Sequence, residues 1–212
     1  MRSLDDLREE ARYGTLTDVE LEYVANRLKY FDPEKEDDDT LCDLLHIIEE
    51  SDYQDVLSGK REKPRAIKYR HLIEPYLEYP RDDWVSATAL RILCQSTWGF
   101  TEDYLDVIKK FIKGVEWDTG DCAICAMSEA GEYLNKKTDE ELEAKDNYEL
   151  AQLLKFVMED QTRDEVDRDS AYRALARTSG FSWNEILAFP EEKKLETLDK
   201  NPDLQNKHKE KK

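Results

Sequence analysis

Residues 84–113 read WVSATALRILCQSTWGFTEDYLDVIKKFIK, and this stretch decides the fold class. Its first half places small or apolar side chains at positions 85, 88, 89, 92 and 93, which share one face of an α-helix. Its second half repeats that spacing at positions 104, 107, 108 and 111, after a turn at Gly99 and a hydroxyl cap at Thr101. The stretch predicts two consecutive helices, and the chain as a whole is predicted to be all-α.

Signals for helix starts and stops recur along the rest of the chain. A hydroxyl residue followed three positions later by an acid, the capping-box form, occurs at Ser3, Thr17, Thr138 and Ser182. Glycines at positions 14, 59, 114 and 180 fall where helices should end. The predicted helices cover residues 4–12, 18–31, 40–50, 52–58, 64–79, 82–96, 102–113, 120–135, 139–145, 147–160, 164–178 and 182–189.

A short sequence motif occurs twice in the chain, which indicates an internal repeat. The segment TWGFT at 97–101 is matched by TSGFS at 178–182, about two units of roughly 40 residues further along. Helices that stack in such units must approach one another closely, which small side chains allow. The small residues in the predicted helices are Ala87, Ala89, Ala123, Ala126, Ala130, Ala171 and Ala174.

These segments resemble the HEAT-repeat family of α-solenoids. The resemblance rests on three helix pairs, 84–100 with 101–113, 122–134 with 148–159, and 169–180 with 182–189. It implies a short right-handed α-solenoid of antiparallel helix pairs over residues 64–190. Residues 1–63 are then N-terminal helices with room for one degenerate pair, and 191–212 form a polar tail predicted to be flexible. The insertion at 136–147 and the absence of the family's usual proline leave an irregular helical bundle as the alternative.

Charge restricts the class of partner. The 212 residues carry 50 acids against 32 lysines and arginines, a formal net charge of −18. Proteins bind nucleic acids and anionic lipid surfaces mainly through lysine and arginine side chains. Because this chain is strongly acidic, neither is an expected partner. A basic protein is the partner that this charge favours. The N-terminal residues show no secretory h-region and no apolar run is long enough for a membrane helix, so a cytoplasmic location with reduced cysteines is expected.

No motif points to catalysis, a metal or a cofactor. Cys122 and Cys125 form a CxxC, but a structural zinc site needs two further ligands, so both are expected to pack within a helix. His46 with Glu49, and His71 with Glu74, are each spaced to share a helix face. A partly buried, hydrogen-bonded His46 is the expectation there. No nucleotide-binding loop or serine-hydrolase elbow is present in the sequence, so no catalytic residue, metal ligand or cofactor is predicted.

The tryptophans and the acids supply the predicted partner-binding residues. Trp84 is expected in the core, and packing is also favoured for Trp98 and Trp183, whereas Trp117 is as well placed for a surface anchor as for core packing. In a solenoid of this family the second helix of each pair lines the concave side, which would gather acids there. The predicted partner-binding residues are Glu102, Asp103, Asp106, Trp117, Asp118, Glu149, Glu159 and Asp160.

Together these features predict a non-enzymatic protein-binding module with an acidic surface. Its most concrete form is a bacterial immunity or inhibitor protein that neutralises a basic, nuclease-type toxin domain. An adaptor or scaffold subunit of a complex is the nearest alternative. The resemblance also leaves open an enzyme of the HEAT-like DNA glycosylase or bilin lyase type, although a glycosylase needs a basic groove where this sequence predicts an acidic one.

Overall fold

The computed structural model describes residues 2–95, 97–114 and 120–178, and across these ranges the chain is helical with no β-strand. Three 3₁₀ helices within them cover Arg65–Tyr69, Glu74–Tyr76 and Thr101–Tyr104. The predicted all-α class is therefore confirmed for this part of the chain. The α-helices are α1 (Leu4–Arg12), α2 (Asp18–Lys29), α3 (Asp38–Glu50), α4 (Tyr53–Leu57), α5 (Arg70–Ile73), α6 (Asp83–Cys94), α7 (Leu105–Lys113), α8 (Gly120–Asn135), α9 (Asp139–Leu142), α10 (Lys145–Glu159) and α11 (Glu165–Thr178).

Some sequence predictions fall outside the described ranges. They are the helix at 182–189 with its cap at Ser182, the tail at 191–212, and the side chains of Trp117, Asp118 and Trp183. The chain divides after Tyr104 into two compact units, so the boundary lies inside the predicted 64–190 segment. The solenoid arrangement and the predicted division at residues 63 and 190 stay predictions.

The predicted capping signals set the helix ends. Ser3, Thr17 and Thr138 each form a complete capping box, in which the hydroxyl and the acid three residues later bond to each other's backbone N–H groups. Gly14 and Gly114 follow α1 and α7 with φ of 69° and 64°, a left-handed conformation that glycine adopts without a Cβ penalty. Inside the described ranges, the predicted helix ends therefore agree with the structure to within a few residues, with one exception.

The exception is the single helix predicted over residues 64–79. The structure breaks this segment into a 3₁₀ helix, the one-turn α5, and the 3₁₀ helix Glu74–Tyr76. Pro75 explains the break, because proline has no N–H for the helical hydrogen bond and its ring clashes with the carbonyl of residue 71. The prediction of one continuous helix here was wrong.

In the first unit, the helices assemble around α3. This helix contacts α1, α2, α4 and α6, and its apolar side chains are almost completely buried. The buried side chains of α3 are Leu41, Cys42, Leu44, Leu45, Ile47 and Ile48. Because α3 is apolar on more than one face, it can form the centre of this unit.

A buried ion pair fastens the loop between α4 and the first 3₁₀ helix. Arg65 Nε donates to both carboxylate oxygens of Asp52, at 3.0 and 2.8 Å, and its backbone N–H donates to the same group at 2.8 Å. The Arg65 guanidinium also donates to Asp18 Oδ1 and to the Leu16 carbonyl, at 2.7 Å each. The loop residues 58–63 are exposed, and Arg65 holds the C-terminal end of this loop to the turn between α1 and α2.

In the second unit, α8 packs against α11 and α7, and α10 packs against α11 and α7. The contact between α8 and α11 is very close at Gly131, where a Cβ atom would lie 2.7 Å from the Cα of Ala174. The alanines predicted to allow close packing in these two helices, at positions 123, 126, 130, 171 and 174, are all buried. Ala174, which lies against Gly131, has the predicted role of a small residue at a helix contact.

Candidate functional site

The outer side of α10 is the candidate functional surface. Tyr148 and Phe156 are 57% and 60% exposed, and they lie two turns apart on the same side of the helix. We call this surface the α10 face, and it consists of the exposed side chains Tyr148, Glu149, Gln152, Lys155, Phe156 and Glu159. Each of the two rings leaves apolar area in water, and their position on one helix face makes this surface a candidate for binding.

The opposite side of the helix fixes α10 in the second unit. Leu150, Leu154 and Val157 are buried, as their spacing predicts. Asn147 is buried too, and its side-chain amide donates to the Glu141 carbonyl at 2.7 Å, which joins the start of α10 to α9. Because one side of α10 is packed in this way, the α10 face is presented on a rigid helix, and binding would order few additional groups.

Acidic side chains are frequent on α10 and on the helices that contact it. Lys109 of α7 donates to Asp146 Oδ1 at 3.2 Å and to Glu149 Oε2 at 3.4 Å, which places α7 beside the N-terminal half of α10. Asp106 is exposed one turn before Lys109 on α7, and Glu140 and Glu143 are exposed on and after α9. Among the described side chains of these three helices and the turn after α9, the exposed acids are Asp106, Glu140, Glu141, Glu143, Asp146, Glu149 and Glu159. The exposed lysines among the same side chains are Lys113, Lys145 and Lys155, so the surface carries an excess of negative charge.

Three of the predicted partner-binding residues belong to this acidic surface. Glu149 and Glu159 lie on the α10 face, and Asp106 lies on the adjoining α7. Asp160 directly follows α10 but has a local role: its Oδ1 accepts from the backbone N–H and the hydroxyl of Thr162, at 2.9 and 2.7 Å. The hydroxyl bond, followed by the backbone bond, lowers the pKa of the Asp160 carboxyl below its ordinary value. Asp160 is therefore part of the turn that leads to α11.

Glu102 and Asp103 lie in the first unit, on the 3₁₀ helix Thr101–Tyr104. Asp103 accepts from Arg70 Nη1 at 2.7 Å, and the same guanidinium lies over the Phe100 ring at 4.1 Å from its centroid. Tyr104 completes this network by donating to Glu74 at 2.7 Å, and burial together with that bond raises the pKa of its phenol. These contacts give Asp103 a structural role in its own unit.

Comparison of the chain with protein-family models, with curated proteins and with solved structures gives no match. Across residues 2–95, 97–114 and 120–178, no group of three or more histidine, cysteine or acidic side chains is arranged to hold a metal ion. No helix in those same ranges is long and apolar enough to cross a lipid bilayer.

The histidine and cysteine pairs form parts of the packing. His46 is partly buried and its Nδ1 lies 3.1 Å from Glu49 Oε2, as predicted for a hydrogen-bonded histidine. Cys122 is buried in α8 and Cys125 is half-buried. In the second HxxE pair, Glu74 is bonded to Arg70 and Tyr104.

The tryptophan predictions had mixed outcomes. Trp98 is buried, as predicted. Trp84 is 48% exposed, so its predicted place in the core was wrong. Trp84 is the second residue of α6, and its backbone N–H donates at 2.7 Å to the carboxylate of Asp82, the N-cap of this helix. At this position in the first turn of the helix, its ring remains partly in solvent.

The sequence predictions missed the aromatic residues that the structure exposes on α10. Tyr148 and Phe156 were not singled out, although a signal for them is present in the sequence. Leu150, Leu154 and Val157 define the buried side of the helix by their spacing, and Tyr148 and Phe156 fall on the other side. Large aromatic residues out of phase with a clear apolar stripe therefore predict exposed anchors.

Proposed function

We propose that this chain is a non-enzymatic protein-binding module and that the α10 face contacts the partner. The single observation that carries the proposal is the pair of exposed rings, Tyr148 and Phe156, on a rigid helix within an acidic surface. Tyrosine is enriched among the residues that dominate binding energy, and aromatic residues in general are enriched in protein interfaces. Acidic residues around such anchors select the partner and accelerate its association.

The partner that fits this surface is a basic protein. Glu149 and Glu159 lie beside the two rings, and the full chain carries a net charge of −18. A partner that places an apolar side chain between Tyr148 and Phe156, with lysine or arginine on either side, would satisfy both features. The most concrete form of the proposal is an immunity or inhibitor protein for a basic, nuclease-type toxin domain, with an adaptor or scaffold subunit as the second form.

The HEAT-like solenoid is part of the same proposal. The closely packed helices and small residues of the second unit support it, since stacked helix pairs need such contacts. A HEAT-like enzyme is less well supported: a DNA glycosylase would have to attract a polyanion, and the exposed charges around α10 are mainly negative.

The test is an affinity capture with the full chain and two double variants. Tyr148→Ala with Phe156→Ala removes both anchors, whereas Tyr13→Ala with Tyr30→Ala removes two aromatic residues that are even more exposed but lie in the first unit. We expect the native chain to bind one basic protein at low salt and to bind it less at high salt. For the purified pair, we expect the anchor variant to weaken the dissociation constant by roughly 30-fold or more, whereas the control leaves it within about threefold.

Two further readouts make this test specific. Glu149→Lys with Glu159→Lys is expected to slow association and to reduce its salt dependence, because charges at the rim act mainly on the encounter rate. All the changed side chains are exposed, so circular dichroism and thermal unfolding should match the native chain. Capture of nucleic acid in place of a protein, or an equal loss of binding in the control variant, would contradict the proposal.

A further inference from the structure

A short lysine-rich segment carries the opposite charge to the chain as a whole. Residues 207–212 read KHKEKK, with four lysines against one acid, whereas the full chain has 50 acids against 32 lysines and arginines. We call residues 207–212 the lysine segment. It follows Thr178, the last described residue, after the 28 residues 179–206.

The described chain ends at the side of the second unit where α10 begins. In the last turn of α11, Arg177 Nη2 lies 3.5 Å from Glu132 Oε2, and α8 ends three residues after Glu132. A turn of three residues connects α8 to α9, and the Asn147 amide donates to the Glu141 carbonyl at 2.7 Å, which joins α9 to the start of α10. Thr178 therefore lies at the same end of this unit as α9 and the first turns of α10.

Exposed acids are concentrated at this end. Residues 140–149 contain five acids, and all five side chains are exposed. Lys145 is the one lysine in the same stretch, and Lys109 of α7 bonds two of the carboxylates at 3.2 and 3.4 Å. Five acids against these two lysines leave a net negative charge. The five acids are Glu140, Glu141, Glu143, Asp146 and Glu149.

We propose that the lysine segment binds to these acids within the same molecule and covers Tyr148. Complementary charge is the first reason, because four lysines meet five exposed acids. Reach is the second reason: α10, with 15 residues, is about 22 Å long, and even a helical path of 28 residues spans about 42 Å. A tether between the two keeps the segment at a high effective concentration near the acids, so weak individual contacts are sufficient.

Tyr148 offers the segment an aromatic contact in addition to the charges. Its ring is 57% exposed, and an ammonium group is attracted to the face of such a ring. Lys137 makes a contact of this kind in the same unit, with its Nζ 4.4 Å from the centroid of the Tyr133 ring.

The consequence is regulation of the α10 face, and in this respect the inference rests on the proposed function. The lysine segment supplies the positive charge that the proposed function expects of a basic partner. A basic partner must displace the segment before it reaches Tyr148. The segment therefore lowers the apparent affinity of this surface for any such partner, because only the molecules with an open surface are competent to bind.

Amide NMR spectra of the full chain test the contact. The segment variant carries Lys207→Gln, Lys209→Gln, Lys211→Gln and Lys212→Gln, which remove the four positive charges. At about 10 mM salt, where the Debye length is about 30 Å, we expect the amide resonances of residues 140–149 to differ between this variant and the native chain. At about 1 M salt the Debye length falls to about 3 Å, and the difference should disappear. The resonances of the buried Ala126 and Ala130 should coincide in both chains, which shows that the fold is unchanged.

The matched control neutralises four exposed lysines of the first unit through Lys29→Gln, Lys60→Gln, Lys63→Gln and Lys68→Gln. It removes the same total charge, and its resonances at residues 140–149 should match those of the native chain. Equal differences in the two variants would be an effect of net charge and would overturn the inference. So would the absence of any difference, or a difference that grows with protein concentration, since the contact would then join two molecules.

Deca-lysine is the probe for the regulatory consequence. A segment that occupies the surface about two thirds of the time leaves about one third of the molecules competent, so its loss raises the apparent affinity about threefold. In isothermal titration at low salt, we therefore expect the segment variant to bind deca-lysine about threefold more tightly than the matched control does. Equal affinities of the two variants overturn the inference.

This inference and the proposed function can fail separately. The spectra and the titration use no natural partner, so a missing segment contact would leave the result of the affinity capture unchanged. Conversely, if Tyr148→Ala with Phe156→Ala had no effect on capture, the proposed function would fail while the resonance differences at residues 140–149 remained.

Discussion

The substitution Arg65→Ala is expected to lower the free energy of unfolding of the first unit by about 3 kcal/mol, because the buried carboxylate of Asp52 keeps only the more distant Arg61, whose Nε lies 3.7 Å from its Oδ1. The Asp52 side chain is 1% exposed and receives three hydrogen bonds from Arg65. The backbone N–H of residue 65 can still donate after the substitution, but the two side-chain bonds and the opposing charge are lost. The bonds from Arg65 to Asp18 and to the Leu16 carbonyl are lost as well. Urea denaturation at neutral pH measures the change.

The exposed pair between Arg12 and Glu50 provides the matched control. Arg12 Nε donates to Glu50 at 2.8 Å, but the arginine side chain is 56% exposed. Such pairs contribute little in water, so Arg12→Ala should lower the free energy of unfolding far less than Arg65→Ala does. Equal effects of the two substitutions would show that burial of Asp52 does not set the strength of the Arg65 pair.

The same ion pair predicts a dependence of stability on pH. Burial of the Asp52 carboxyl opposes its ionisation and is the largest single influence, but the side-chain and backbone bonds from Arg65 outweigh it with help from the charges of Arg65 and Arg61. The pKa of Asp52 in the folded chain is therefore below its ordinary value. Its contribution is present in full above the ordinary aspartate pKa and is lost as pH falls through the lowered one. Asp52→Asn should remove this part of the acid sensitivity, which denaturation over a pH series would show.

The substitution Gly131→Ala is expected to destabilise the second unit by about 2 kcal/mol, although alanine is the better helix former. Alanine inside a helix gains about 1 kcal/mol over glycine. Against this, the new Cβ would lie 2.7 Å from Ala174 Cα and 2.9 Å from the Ala174 carbonyl oxygen. These are backbone atoms, so α8 and α11 must move apart, and overpacking of this kind costs about 3 kcal/mol. The melting temperature should fall by roughly 4–8 °C.

Two companion variants test the cause. Ser128→Ala changes an exposed position of the same helix and should leave the melting temperature nearly unchanged. Ala174→Gly, added to Gly131→Ala, removes only the Ala174 Cβ contact at 2.9 Å, so it should restore part of the lost stability at most. If the Gly131→Ala chain were more stable than the native one, α8 and α11 would move apart without loss of stability. The higher helix propensity of alanine would then determine the effect of the substitution.

Helix positions could be predicted because the signals for them are local. A capping box such as Thr17 with Glu20, or a glycine such as Gly114 at positive φ, acts within one turn and is visible in the sequence. The prediction of one helix over 64–79 failed because it gave no weight to Pro75, which lies inside that segment. The cap at Asp37, whose carboxylate accepts from the Thr40 N–H at 2.8 Å, was missed because no acid or glutamine at the third helical position completes a capping box.

The candidate site was harder to predict because it depends on contacts between distant residues. Glu149 could be selected from its helix position, but its neighbours Lys109 and Asp106 come from a helix about 40 residues earlier. Asp103 is an acid with a similar predicted position, and Arg70 pairs with it from 33 residues away, as Lys109 pairs with Glu149 from 40 residues away. Whether an acid is free for a partner therefore depends on arginines and lysines that only the folded chain brings close.

The anchoring of the 58–63 loop has a practical consequence for engineering this chain. The ion pair between Asp52 and Arg65 holds the segments on either side of the loop, and Lys60 and Arg61 bond through their backbone to the Asp55 carbonyl. Glu62 and Lys63 lie between these fixed points and are exposed. A fluorescent tag or epitope inserted between Glu62 and Lys63 would enter a loop whose ends are already held together, and loops of this kind accept insertions well. The molecule can thus carry an internal label on the first unit, with the α10 face of the second unit unaltered in sequence.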